Sequence, residues 1–164
     1  MLTADHPNAL WLANLYRGSA AIENDSSLDE ETRAAKLADH MKTAFTRISP
    51  NLVIHTGGVR LAATLSGSQV HKYAAKRKAL TGGTFRVVKV DQVIADDLFG
   101  LIYATAVGVR NGKSYESRGM GAWRFDGAIA VEHWEIPHGE LWDQMLLDDD
   151  ADLNGTVQEF WSRN

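Results

Sequence analysis

Apolar residues early in the chain recur at the three- and four-residue spacing of a helix face. Leu10, Leu12, Ala13, Leu15, Tyr16 and Ala20 predict a first helix over about residues 7–23. Ser27 with Glu30 three positions later reads as a capping box. The second helix it opens carries Ala34, Leu37, Ala38, Met41, Ala44, Phe45 and Ile48 at the same period, until Ser49-Pro50 ends it. Residues 52–55 read as a short strand broken at Thr56-Gly57-Gly58, and a third helix over about 67–80 stops at Thr81-Gly82-Gly83. The pattern then turns to β-rich segments over 85–94, 98–109, 114–125 and 128–136. Asn111-Gly112 favours a two-residue hairpin with positive φ at both central positions, Asp126-Gly127 is a second such signal, and Asp96-Asp97 marks a looser turn. A short helix near 141–146 and a tail near 157–161 complete the expectation.

Helices first and a meander afterwards is an α+β order, not alternating βαβ units. The expected architecture is a single domain over 1–164, a helical layer over a curved antiparallel sheet that encloses one pocket. With 164 residues, 45% hydrophobic and 23% charged, the chain can bury a continuous core without staples. A formal charge of −4 offers no basic field for nucleic acid or anionic lipid, and the absence of cysteine excludes disulfides and thiolate chemistry. No apolar run approaches the ~20 residues of a membrane span. The N-terminus lacks a signal-peptide layout. The expectation is therefore cytoplasmic, without nucleic-acid or membrane partners. No glycine-rich strand-to-helix turn supports a nucleotide fold.

The hairpins permit cross-strand arithmetic. A turn at Asn111-Gly112 sets Thr105 opposite Arg118 and Tyr103 opposite Met120. A turn at Asp126-Gly127 sets Arg118 opposite Glu135 and Met120 opposite His133. Opposed residues share a sheet face, so Tyr103, Thr105, Glu116, Arg118, Met120, His133 and Glu135 are expected together. Trp123, Trp134, Gly119, Gly121 and Glu132 fall on the other face. A slip of one residue at the second turn would exchange the faces of the last strand. An Arg–Glu pair on this pattern is either a pocket element or a solvated ion pair worth under about 1 kcal/mol.

Four stretches are similar to known sequences: Leu80-Thr81-Gly82-Gly83-Thr84-Phe85-Arg86, Ala95-Asp96-Asp97, Trp123-Arg124-Phe125-Asp126-Gly127 and Glu132-His133-Trp134-Glu135. Together they resemble SnoaL-like proteins of the nuclear transport factor 2-like superfamily, over about residues 8–161. The resemblance implies a cystatin-like cone with a pocket between helices and sheet, and commonly a homodimer. Members include polyketide cyclases, ketosteroid isomerases and limonene-epoxide hydrolases, besides binding domains. It implies a catalytic acid at Glu135, an oxyanion donor at Tyr16 and a base position near His55. The Arg and Asp that epoxide hydrolases place two apart are missing from Ile102-Tyr103-Ala104-Thr105.

The candidate catalytic residues are therefore Glu135, His55, His133 and Tyr16, with Tyr103, Arg118, Met120 and Trp134 as substrate-binding candidates. The functional reading is a cofactor-independent cyclase or isomerase using acid–base chemistry on a small apolar carbonyl or polyketide-like substrate. A non-catalytic binding or dimerising domain is the alternative, and an epoxide hydrolase a weaker one. A homodimer is expected through the face of Trp134, Trp123, Gly119 and Gly121. Asp150, Asp152, Asn154 and Gly155 mimic the start of a calcium loop, but its twelfth position is Trp161 where a bidentate Glu is required. His55, His71, His133 and His138 lack a close-spaced ligand motif, so no metal is expected. Lys72, Lys76, Arg77 and Lys78 read as the solvated side of the third helix.

Overall fold

The computed structural model describes residues 1–57 and 62–137; the expected helix near 141–146, the tail, the calcium-like loop and His138 lie outside them. The first helical stretch is a continuous rod: α1 (Pro7–Ala13), a π-helical turn (Asn14–Gly18) and α2 (Ser19–Glu23). Pro7 at its first position forgoes an amide that no helix could satisfy there. Helix α3 (Glu30–Ala44) is capped by Asp29, which accepts from Thr32 N at 2.7 Å, and not by the expected Ser27. Ser27 instead donates to Asp25. A 3₁₀ turn (Phe45–Arg47) leads into β1 (Ile48–Gly57), which starts before Pro50 and is longer than expected. β2 (Ala62–Ser66), which the sequence pattern did not reveal, is followed by α4 (Ser68–Leu80). The meander β3 (Arg86–Ala95), β4 (Phe99–Arg110), β5 (Lys113–Asp126) and β6 (Ile129–Pro137) lies where the β-rich segments were expected.

The fold is α+β, and the six strands form one sheet in the order β2-β1-β6-β5-β4-β3. Every neighbouring pair is antiparallel except β1 and β6, which run parallel, so the sheet is mixed. Helix packing on one face builds the core: Leu12, Leu15, Val93, Ile102, Trp123 and Phe125 are buried together. Trp11 meets Trp123 and Phe125 edge-on, each at 5.9 Å between ring centroids, and donates its indole N–H to Ala44 O. That bond ties the rod to α3.

The first hairpin keeps the expected register, with Tyr103 opposite Met120 and Thr105 opposite Arg118. Asn111 and Gly112 take φ of 49° and 73°, as the two-residue turn requires. The second hairpin does not keep it. Asp126 pairs with Ile129, Phe125 with Ala130, and then Arg124 with Glu132, leaving Val131 as an extra residue on β6. Beyond that bulge Gly121 opposes Glu135 and Trp123 opposes His133. The expected Arg118–Glu135 pairing is therefore wrong, and the mixed face proposed above separates. His133 and Glu135 turn to the helices with Trp123 and Gly121, while Tyr103, Arg118, Met120 and Trp134 share the opposite face.

Candidate functional site

Between the rod, α3 and the sheet lies a cavity of about 620 Å³. Most of its wall is apolar, from Leu15, Leu37, Met41, Ile48, Leu52 and Ile54. Its polar groups are few: Tyr16, Ser19 and Glu23 from the rod, Ser49 from β1, His133 and Glu135 from β6, and Arg77 from α4, with Arg86 from β3. A largely apolar enclosure with a few converging polar groups is the usual form of a small-molecule site.

Tyr16 sits within the π-helical turn, a local widening of the helix often found at functional positions. Its hydroxyl oxygen accepts from Trp123 Nε1 at 3.1 Å, which directs the phenolic proton to other acceptors. Burial, reinforced by the Glu135 carboxylate, pushes the Tyr16 phenol well above its ordinary value, so it remains a donor. The turn is braced where Ser19 Oγ donates to Leu15 O at 2.6 Å and His40 lies against Gly18. A side chain at Gly18 would collide with that imidazole.

His133 is buried, and its ring stacks on Trp123 with centroids 4.0 Å apart. Its Nδ1 lies 3.0 Å from Ala122 O. A carbonyl can only accept, so this bond assigns the proton to Nδ1 and leaves Nε2 as the basic nitrogen of the neutral ring. Burial lowers the His133 pKa, and outweighs the opposing pull of Glu135 and the Ala122 carbonyl. The ring comes close because residue 121 is glycine: a Cβ there would lie 3.0 Å from Ile102 and 3.1 Å from the His133 ring.

Glu135 accepts from both sides, from Thr56 Oγ1 at 2.6 Å and from Arg77 Nη1 at 3.1 Å. Two donors on two oxygens are the arrangement of an ionised carboxylate. Its Oε1 stands 3.9 Å from His133 Nε2, too far for a hydrogen bond but near enough to stabilise a charge on the imidazole.

The structure thus brings Tyr16, His133 and Glu135 together. His55 lies elsewhere. Paired across the parallel ladder with Trp134, it faces away from the cavity, stacked on that indole at 5.1 Å and hydrogen-bonded to Thr64 and Glu132. Tyr103, Met120 and Arg118 are on that outer face too, the last 3.6 Å from Glu116. In Ile102-Tyr103-Ala104-Thr105, Ile102 and Ala104 pack on the core, and the stretch has no acid or guanidinium to offer the cavity. Arg77, read above as solvated, instead reaches inward to Glu135 and lies over the Phe85 ring at 4.5 Å. Sequence reasoning also missed Thr56, Trp123 and Glu23. The glycine pair after α4 was the available signal for Arg77, since a reversal there returns the helix end over the sheet. Among the described residues, no three His, Asp or Glu side chains gather as metal ligands.

No protein-family profile and no curated protein matches the chain in sequence. Solved structures do. A protein of unknown function with a cystatin-like fold from Xanthomonas campestris matches at TM-score 0.62 and 18% identity, over 85% of this chain and 96% of that one. An NTF2-like protein from Anabaena variabilis matches at 0.58 and 11%, over 85% and 96%. The chain has the NTF2-like fold. IdmH from Streptomyces antibioticus, a proposed polyketide cyclase, matches at 0.56 and 17%, over 81% and 93%. At these identities the likeness establishes fold, not activity.

Proposed function

We propose that the cavity is the active site of a cofactor-independent cyclase or isomerase acting on a small apolar carbonyl compound. The observation that carries this reading is His133: neutral, its Nδ1 proton held by Ala122 O, its Nε2 on the cavity beside a carboxylate. Nε2 takes a proton from the carbon next to the substrate carbonyl. The enolate oxygen that forms accepts from the Tyr16 hydroxyl, and Glu135 stabilises the imidazolium. The enolate carbon then regains the proton at a conjugated position, completing an isomerisation. Alternatively it attacks a second carbonyl of the same molecule, closing a ring, and the new alkoxide takes the proton from His133. Either cycle returns the proton it removed, so no co-reactant is needed. The fold shared with IdmH supports the carbonyl class.

Proton abstraction can be tested apart from the natural substrate. With 2-tetralone in deuterated buffer, the protein is expected to accelerate loss of the α-proton NMR signals. His133→Gln should slow that exchange by about 100-fold, and Tyr16→Phe should slow it as well. Exchange no faster than buffer, or undiminished in His133→Gln, sinks the reading.

The same reading includes a symmetric homodimer. Tyr103, Met120 and Ile136, cross-strand neighbours on the outer face, are 39%, 47% and 51% exposed, a continuous apolar strip over three strands. The face differs from the one expected from sequence, because Trp123 and Gly121 are turned into the core and only Trp134 of that set lies outside.

A further inference from the structure

The rod places Tyr16, Ser19 and Glu23 on one wall of the cavity, at spacings of three and four residues that keep them on one helix face. Seven residues of helix separate Tyr16 from Glu23 by roughly 10 Å along the axis. The two ends of that wall meet different strands. Tyr16 bonds to Trp123 of β5 beside His133, whereas Glu23 lies by Arg86 and the backbone N–H of Val87 at the start of β3. Asn24 fixes the second end, accepting from Arg86 Nε at 2.9 Å and donating to Val87 O at 3.0 Å. Between the two ends the cavity wall is Leu15 on the rod and Leu37 and Met41 on the adjoining α3. Polar groups about two helical turns apart, separated by apolar side chains and by Ser19, whose hydroxyl donates back to Leu15 O, describe the outline of a ligand.

We infer that Glu23 is a second anchor of the cavity, selecting an elongated apolar ligand that carries a neutral hydroxyl at the end remote from the atom held by Tyr16. This rests on the proposed active site only for the first anchor. A carboxylate offers about four acceptor sites, so Glu23, beside Arg86 and Val87 on the cavity wall, has capacity for a hydroxyl donor. Burial raises the Glu23 pKa against the pull of Arg86, the Val87 N–H and Arg77, which marks this carboxylate as partly withdrawn from water. The neighbouring guanidiniums of Arg77 and Arg86 oppose an ammonium at this point, and Glu23 itself opposes a carboxylate. A neutral alcohol or phenol is the group that satisfies both. The class is therefore a polycyclic or diaryl compound oxygenated at both ends.

Two probes separate the anchors: 4-hydroxybiphenyl, with one hydroxyl, and 4,4′-dihydroxybiphenyl, with one at each end. Calorimetric titration of the wild type is expected to give about tenfold tighter binding of the diol, the value of one hydrogen bond to a withdrawn carboxylate. Glu23→Met, which keeps the chain length but removes the acceptor, should equalise the two, and Glu23→Gln should retain part of the preference. Tyr16→Phe should weaken the diol, which uses both anchors, more than the mono-ol, whose one hydroxyl can turn to Glu23. Equal wild-type affinities, no binding of either probe, or a preference that survives in Glu23→Met overturns the second anchor. If the preference vanishes in Glu23→Met while Tyr16→Phe binds both probes normally, the second anchor stands and the assignment of Tyr16 falls. The wild-type comparison needs no variant, so poor folding of a Glu23 substitution does not remove the test.

Discussion

At the scale of single residues, the decisive group is the His133 imidazole, and its burial makes a prediction about pH. In the unfolded chain a histidine takes up a proton near 6.5. In the folded protein desolvation holds the ring neutral to lower pH. Between those two points the unfolded state binds more protons than the folded one, so stability rises with pH across that window and is lost as pH falls below about 6.5. Urea unfolding at pH 7 and at pH 5 should show the wild type losing more stability on acidification than His133→Gln. Glu23, whose pKa burial raises, acts in the opposite sense above about 4.5, which is why the difference between variant and wild type is the quantity to read. An equal acid response in both proteins would mean that the ring is not buried neutral. The α-proton exchange rate should hold through the upper part of that window and fall only at the lower pH where the folded ring itself takes up a proton, because protonated Nε2 has no lone pair to accept one.

Among the secondary elements, the β5–β6 hairpin controls which side chains reach the cavity. At Gly121 the packing is tight: a Cβ would press on Ile102 and on the His133 ring. Gly121→Ala is expected to cost about 1–3 kcal/mol through overpacking and to slow exchange by displacing the imidazole. Thermal unfolding and the exchange assay check the two effects separately. A Gly121→Ala protein of wild-type stability and exchange rate would show that the ring has room to give. The same hairpin marks the limit of what the sequence reveals. Asn111-Gly112 permits one tight turn, so the β4–β5 register was legible residue by residue. Asp126-Gly127 located a turn but not the bulge at Val131, which has no local signature and reverses every later side chain of β6. That one extra residue moved His133 and Glu135 away from Arg118 and onto the helix side. His55 was misplaced for a related reason. A short strand predicted in isolation carries no information about its parallel partner, and pairing with β6 puts His55 beside Trp134 on the outside. Helical periodicity, by contrast, placed Tyr16 on the inner face of the rod, although nothing in the sequence pointed to the π-turn around it.

For the molecule as a whole, the sheet divides two tasks. One face, under the helices, carries the cavity. The other presents Tyr103, Met120 and Ile136 to solvent in a contiguous strip, with Phe99 also exposed. An apolar strip running across adjacent strands is the kind of surface that association removes from water, and a two-fold axis through a sheet face pairs the strip with itself. Light scattering at micromolar concentration is expected to give twice the mass of the chain. Met120→Lys places a charge at the centre of the strip, where assembly would bury it without a partner, and should weaken association by about 100-fold or more. Because Met120 points away from the cavity, the monomer so produced should still exchange the α-protons of 2-tetralone and still prefer the diol over the mono-ol. A wild-type protein that scatters as a monomer removes the dimer and leaves the cavity chemistry standing. A Met120→Lys monomer that folds but loses exchange would mean that the cavity depends on a second copy, and the division between the two faces of the sheet would then be wrong.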